Sequence, residues 1–248
     1  MKITPIKTDK ITPKNHTIYD ILDKFVVDVP ENSILAVTSK IISICEGNVI
    51  KNDGRILKNN LVKDEADLYL PPTESKYNYC LTIKNNVLLP TAGIDESNGN
   101  GYFILWPKDP QKTINAIRKY LMERFKLKNV GAMITDSKTT PLRWGTTGVS
   151  VAHSGFKALN DYIGKPDIFG VKMQATKANI ADAVAVSAVL CMGEGQEQTP
   201  MALIEDLPFV KFQKNNPTKK ELAELGIGME DDLYAPLLKS VCWKKKKE

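Results

Sequence analysis

The chain has 248 residues, 42% apolar and 25% charged, which is the balance of a globular protein with a sizeable core. Its net charge of +5 falls to +1 once the terminal run Lys244–Lys247 is set aside, so the body lacks the spread of basic residues that a nucleic-acid-binding face requires. The longest uncharged apolar stretch, residues 183–192, is too short to cross a bilayer, and residues 1–10 hold three lysines and no apolar signal core. Cysteines at 45, 80, 191 and 242 show no CxxC spacing, which points to reduced, mostly buried thiols in a cytoplasmic protein without membrane or nucleic-acid partners.

Residues 2–6 alternate as a short strand, and Ile18, Ile21, Leu22 and Phe25 have helical spacing within 17–26. Residues 33–38 read as a buried strand running into Lys40, and 60–68 as a helix. Segments 79–83 and 87–89 flank Lys84-Asn85-Asn86 as a hairpin, and 101–106 is a further strand. The clearest helix opens at Asp109-Pro110, with Ile114, Ile117, Leu121 and Phe125 as its inner stripe. A buried strand over 130–135 ends at Asp136, and 148–152 is another strand. Residues 155–175 read as loops with short strands; a second strong helix starts at Thr176 and ends at Met192-Gly193. A strand covers 201–204, a capping box in Pro217-Thr218-Lys219-Lys220-Glu221 starts a short helix ending at Gly226, and a last helix covers 231–241. Hairpin signals break any regular βαβ rhythm, so the predicted fold class is α+β.

Three short acidic motifs carry the chemistry: Gly93-Ile94-Asp95-Glu96-Ser97-Asn98, Ile134-Thr135-Asp136-Ser137 and Met192-Gly193-Glu194-Gly195. Each sets a carboxylate beside small polar residues where an element ends. Hard oxygen ligands of this kind suit Mg²⁺ or Mn²⁺, ions that usually accompany phosphates. Taken singly, Asp95 or Asp136 reads equally as an Asx-turn or helix cap, and Glu194 as a solvated loop residue after a glycine cap. The loop Gly193, Glu194, Gly195, Gln196, Glu197, Gln198 and Thr199 has backbone groups to wrap a nucleotide. Lys40 reads as a surface lysine or as a point charge for phosphate. Arg143, in Leu142-Arg143-Trp144-Gly145, has a planar fork for a carboxylate or phosphate, or forms a loop ion pair. His153 reads as a structural histidine.

The order and spacing of these motifs resemble the coenzyme F420-0:L-glutamate ligase family. The likeness runs from residue 33 to 210. It rests on residues 40–47, 93–98, 105–110, Ile117-Arg118, 136–145, Asp161-Tyr162-Ile163-Gly164, Asp167-Ile168-Phe169-Gly170, Thr176 and 192–200. The resemblance implies a γ-glutamyl ligase that extends a deazaflavin cofactor by L-glutamate, with GTP and two divalent ions. It implies one ion on Asp95 and Asp136 and the other on Ser137 and Glu194. It places Ser39, Lys40, Asn98 and the stretch Met192 to Thr199 on the nucleotide. Asp136 and Arg143 are the candidate catalytic residues. The implied assembly is an intertwined homodimer of two-lobed subunits: residues 1–75 with 190–243 as the main α+β lobe, 76–189 as the second, and 244–248 as a disordered lysine tail.

Three stretches depart from the family pattern. Lys7-Thr8-Asp9-Lys10-Ile11-Thr12 stands where a Gly-Leu-Pro type segment touches the nucleotide. Ile44 replaces a nucleotide-contacting lysine, and Thr139-Thr140-Pro141 replaces Gly-Arg-Pro. The changes lie around ligand contacts and spare the metal carboxylates. They leave open a folate-type pterin as acceptor, or a paralogue that binds a nucleotide or flavin-like ligand without turnover.

Overall fold

Parallel pairing of two buried strands brings the ends that matter to one edge of the molecule. A computed structural model describes residues 1–13 and 16–246. Its central sheet has five strands: β1 (Lys2–Ile6), β2 (Ser33–Thr38), β8 (Val130–Thr139), β9 (Thr146–Ser154) and β12 (Met201–Glu205). The spatial order is β1-β12-β2-β8-β9; β2 and β8 are parallel and the other pairs antiparallel.

Both faces of this sheet are covered, which explains the unbroken apolar reading of β2. On one face Leu35, Val37, Ala132 and Ile134 meet α1 (Ile18–Phe25), α2 (Ser39–Cys45) and α4 (Pro110–Phe125) through Leu22, Ile42, Ile114, Ile117 and Leu121. On the other, Ile34, Ala36, Met133 and Ile204 lie under α5 (Ile180–Met192) through its small residues Ala181, Ala185 and Ala188. At Gly148, on β9, an added Cβ would overlap the Ala185 carbonyl, so the close approach of α5 requires a bare backbone there.

A third core of Val62, Ala66, Cys80, Ala92, Ile94, Phe103 and Leu105 sits under smaller elements. These are β3 (Val49–Lys51) paired with β7 (Tyr102–Ile104), α3 (Lys58–Glu65), and the sheet of β4 (Leu68–Tyr69), β5 (Leu81–Lys84) and β6 (Val87–Pro90). Asn85 and Asn86 both have positive φ, 47° and 63°, as a two-residue hairpin turn demands. A short pair, β10 (Leu159–Asp161) with β11 (Lys177–Asn179), and helices α6 (Lys219–Leu225) and α7 (Ala235–Leu238) complete the chain.

The mixed composition of helices and sheets agrees with the α+β expectation. Several boundaries differ. The strand read as ending at Asp136 continues to Thr139, because β9 pairs with it along that whole length. Residues 177–179 are a strand, and Asn179 rather than Thr176 caps α5, accepting the Asp182 N–H at 3.0 Å. The last helix is only the four residues of α7. Helix α2 went unread. Strands β8 and β9, grouped from the sequence with the second lobe, share the sheet of β2, so that sheet draws on both segments the sequence separates. Lys244, read as part of a frayed tail, exchanges two backbone hydrogen bonds of 2.9 Å with Tyr69; Lys247 and Glu248 lie outside the described residues. All four cysteines are free, but Cys191 and Cys242 are exposed rather than buried. No helix among the described residues is long and apolar enough to cross a membrane.

Candidate metal and nucleotide site

Thr38 ends β2 opposite Thr135 of β8, so Ser39 and Asp136 emerge side by side. Ser39 Oγ donates to Asp136 Oδ2 at 3.1 Å. The indole N–H of buried Trp106 donates to the same oxygen, and the backbone N–H of Ser137 donates to Oδ1 at 2.7 Å. Burial is the main force that pushes the Asp136 carboxyl up to about 6; the negative charge of Asp95 adds to it, and the three hydrogen bonds oppose it.

Asp95 is fixed by two backbone hydrogen bonds with Ile104, at 2.9 and 2.8 Å. Its Oδ2 lies 2.8 Å from Lys40 Nζ, and Ser97 Oγ donates to its Oδ1 at 3.2 Å. Lys40 also donates to the Ser97 carbonyl at 3.2 Å, so the lysine grips the 95–97 turn. Glu194 stands just after α5. Partial desolvation raises its pKa; a hydrogen bond with Ser137 and the charge of Lys40 pull the other way, and Asp95 raises it further. Hence Asp95, Asp136, Ser137, Glu194, Ser39 and Lys40 form one linked group.

The loop after α5 joins the same edge. Asn98 Nδ2 donates to the Gly195 carbonyl at 2.9 Å, Glu197 accepts the Gly195 N–H at 2.8 Å, and Thr8 N–H reaches the Gln198 carbonyl at 2.8 Å. Thr199 Oγ1 donates to the Met192 carbonyl. The Met192 side chain is buried under the sheet, so only its backbone faces the loop. Gln196 is exposed. Arg143 is not brought into the group. It lies in the exposed turn between β8 and β9 and has no ion pair among the described residues. Ile44, at the family's lysine position, is buried.

The donor set fits a hard divalent ion. Lys40 pairs with Asp95, the candidate donors are all oxygen, and the pKa values of Asp136 and Glu194 are raised, a situation that a cation would relieve. Among the described residues no group of three or more His, Cys, Asp or Glu side chains is placed to hold a metal ion. Mg²⁺ does not need such a group, since it keeps waters and shares phosphate oxygens beside one or two carboxylates.

Two contributors were not assigned a role from the sequence. Trp106 sits in a quoted motif, but its hold on Asp136 depends on a fold contact 30 positions away in the chain. Gly93 opens the first acidic motif; its φ of 71° and the indole packed against it give it a steric role.

The arrangement gathers acidic and hydroxyl side chains and one lysine at one edge of the central sheet of an α+β scaffold. Residues 5–206 match the family described as F420-0:Gamma-glutamyl ligase, and the chain belongs to that family. A coenzyme F420:L-glutamate ligase of Methanococcus maripaludis strain C7 is 31% identical over 223 residues, covering 84% of this chain and 88% of that protein. The enzyme of the same name from Methanocaldococcus jannaschii is 31% identical over 197 residues, covering 73% and 79% of the two chains. That of Archaeoglobus fulgidus is 37% identical over 117 residues, 47% of each chain.

Proposed function

We propose that the chain is a nucleotide- and divalent-metal-dependent γ-glutamyl ligase that joins L-glutamate to a carboxylate of coenzyme F420-0 or a related cofactor. The observation that carries this reading is the convergence of Lys40, Asp95, Asp136 and Glu194, from four separate segments, in a chain of this family. The shared name of the relatives supports the acceptor class.

A carboxylate is a poor acyl donor because its leaving group would be oxide. In the proposed reaction an acceptor carboxylate oxygen attacks the γ-phosphorus of GTP. The bond to the β-phosphate oxygen breaks, GDP leaves and an acyl phosphate forms. The α-amine of L-glutamate then attacks the acyl carbon. The bond to phosphate breaks, inorganic phosphate leaves, and the nitrogen loses a proton as the amide forms. Positioning and charge neutralisation dominate such transfers. Asp95 and Asp136 would hold one Mg²⁺ or Mn²⁺, and Ser137 and Glu194 a second. When bound, the ions neutralise charge on the phosphate oxygens. Ser39, Lys40, Asn98 and the 192–199 loop bind the nucleotide, with Lys40 as the point charge. Arg143, in the exposed turn that follows β8, would have to turn toward the group to receive the acceptor carboxylate or the acyl phosphate. The exposed apolar side chains Leu142, Trp144, Ile168 and Phe169 support a homodimer.

Incubation with GTP, Mn²⁺, L-glutamate and F420-0, read by mass spectrometry, tests the reading. One glutamyl mass gain with phosphate release is the expected result, and Arg143→Ala slows it at least tenfold. A second reading, a folate-type acceptor, is favoured by Thr139-Thr140-Pro141 at the exposed turn, where the resemblance calls for an arginine. Glutamylation of a pterin acceptor but not F420-0 would select it. GTP binding without phosphate release from any acceptor would favour the non-catalytic paralogue suggested by buried Ile44.

A further inference from the structure

Asp136 is the most heavily hydrogen-bonded of the candidate ligands. A carboxylate has about four lone-pair positions. Ser39 Oγ and the Trp106 indole N–H fill both on Oδ2, and the Ser137 N–H fills one on Oδ1. One position remains, on Oδ1.

Trp106 is held firmly where it makes this contact. It is 2% exposed, and its carbonyl accepts Asn48 Nδ2 at 2.6 Å. Gly93 packs against the ring, and an added Cβ would overlap the indole nitrogen. Gly93 lies two residues before Asp95, while Ile104, the backbone partner of Asp95, lies two residues before Trp106. One small frame therefore sets both aspartates.

We propose that Trp106, wedged by Gly93, is a positioning residue that closes Oδ2 of Asp136 and leaves only Oδ1 for a cation. The proposal rests on the reading of Asp95 and Asp136 as metal ligands. Its consequence is ion preference. Mg²⁺ and Mn²⁺ suit carboxylates that each give one oxygen, whereas Ca²⁺ takes more ligands and often both oxygens of a carboxylate. Freeing Oδ2 opens the site to the larger ion.

The test is calorimetric titration of the full chain with a non-hydrolysable GTP analogue, in Mn²⁺ and separately in Ca²⁺. The wild type binds the Mn²⁺ complex more tightly. Trp106→Phe keeps an aromatic ring in the slot and removes the N–H. Mn²⁺-dependent binding falls about tenfold, the range for partners that orient ligands, while Ca²⁺-dependent binding is unchanged or tighter. A purely structural role would weaken both equally, and that outcome, or no change in the Mn²⁺/Ca²⁺ ratio, overturns the proposal. If the wild type binds the analogue no better with Mn²⁺ than with EDTA, the metal reading itself fails and the proposal falls with it. If Trp106→Phe does not melt cooperatively, Ser39→Ala removes the other Oδ2 donor at a smaller change in volume. Loss of the ion preference in that variant supports the closure of Oδ2, and an unchanged preference refutes it.

Discussion

Two titrating residues pull the pH dependence of stability in opposite directions. Asp136 is raised by burial to about 6, so in the metal-free protein it favours folding as pH falls from neutrality toward its unfolded pKa near 4. His153 is lowered by burial to about 4, so its contribution is present above its unfolded pKa near 6.5 and is lost as pH falls through that window. Each effect is on the order of a few kcal/mol and they oppose each other, with the raised Glu194 carboxyl acting in the direction of Asp136. Melting temperature in EDTA should therefore show no steep fall between pH 7 and 5. With His153→Gln it should rise as pH falls. With Mn²⁺ holding Asp136 ionised, the wild type should instead lose stability on acidification. A steep fall for the metal-free wild type would contradict the raised Asp136 carboxyl. Asp136 as a candidate ligand was legible because a strand of Val, Ala, Met and Ile gives way to Asp-Ser. Its hydrogen-bond partners were not, because Ser39 and Trp106 reach it only through the sheet and the 93–106 frame.

At the level of elements, periodicity and caps decided what could be read. Helix α4 shows its inner stripe and its cap, with Asp109 accepting the Lys112 N–H at 2.9 Å. The capping boxes of α1 and α6 form with Thr17–Asp20 and Thr218–Glu221; only the second was singled out from the sequence. Thr218→Ala should cost about 1 kcal/mol, measured by urea denaturation, and leave nucleotide affinity unchanged. Helix α2 escaped notice because Ser-Lys-Ile-Ile-Ser-Ile-Cys continues the apolar run of β2 and Thr38 makes no side-chain cap. The close seat of α5 on β9 gives a second test. Gly148→Ala would meet backbone rather than a movable side chain, and overpacking of this kind costs about 1–3 kcal/mol. Since α5 leads directly into the 193–199 loop, the same variant should weaken nucleotide binding. Stability and affinity both unchanged would show that the helix gives way freely.

Across the whole molecule, the central sheet gathers strands that are far apart in sequence, with Ser33 opposite Val130 and Met201 opposite Val37. Local patterns identify such strands but not their neighbours, which is why the lobe boundaries drawn from the sequence do not follow the sheet. Leu142 and Trp144 are more than nine-tenths exposed, as is Ile168, and Phe169 is 85% exposed. Sedimentation should find a dimer, with Trp144→Glu combined with Phe169→Glu shifting it to monomer; a monomeric wild type would remove the proposed assembly.

The contact between Lys40 and Asp95 has a kinetic corollary. An ammonium already rests on the oxygen that a metal would claim, so the two charges compete for one seat. On the proposed function, a triphosphate that arrives with its cation would let Asp95 exchange Lys40 for the ion while Lys40 turns to the anion. A bare triphosphate meets a lysine that is still engaged, so the order of addition should govern how fast the complex assembles.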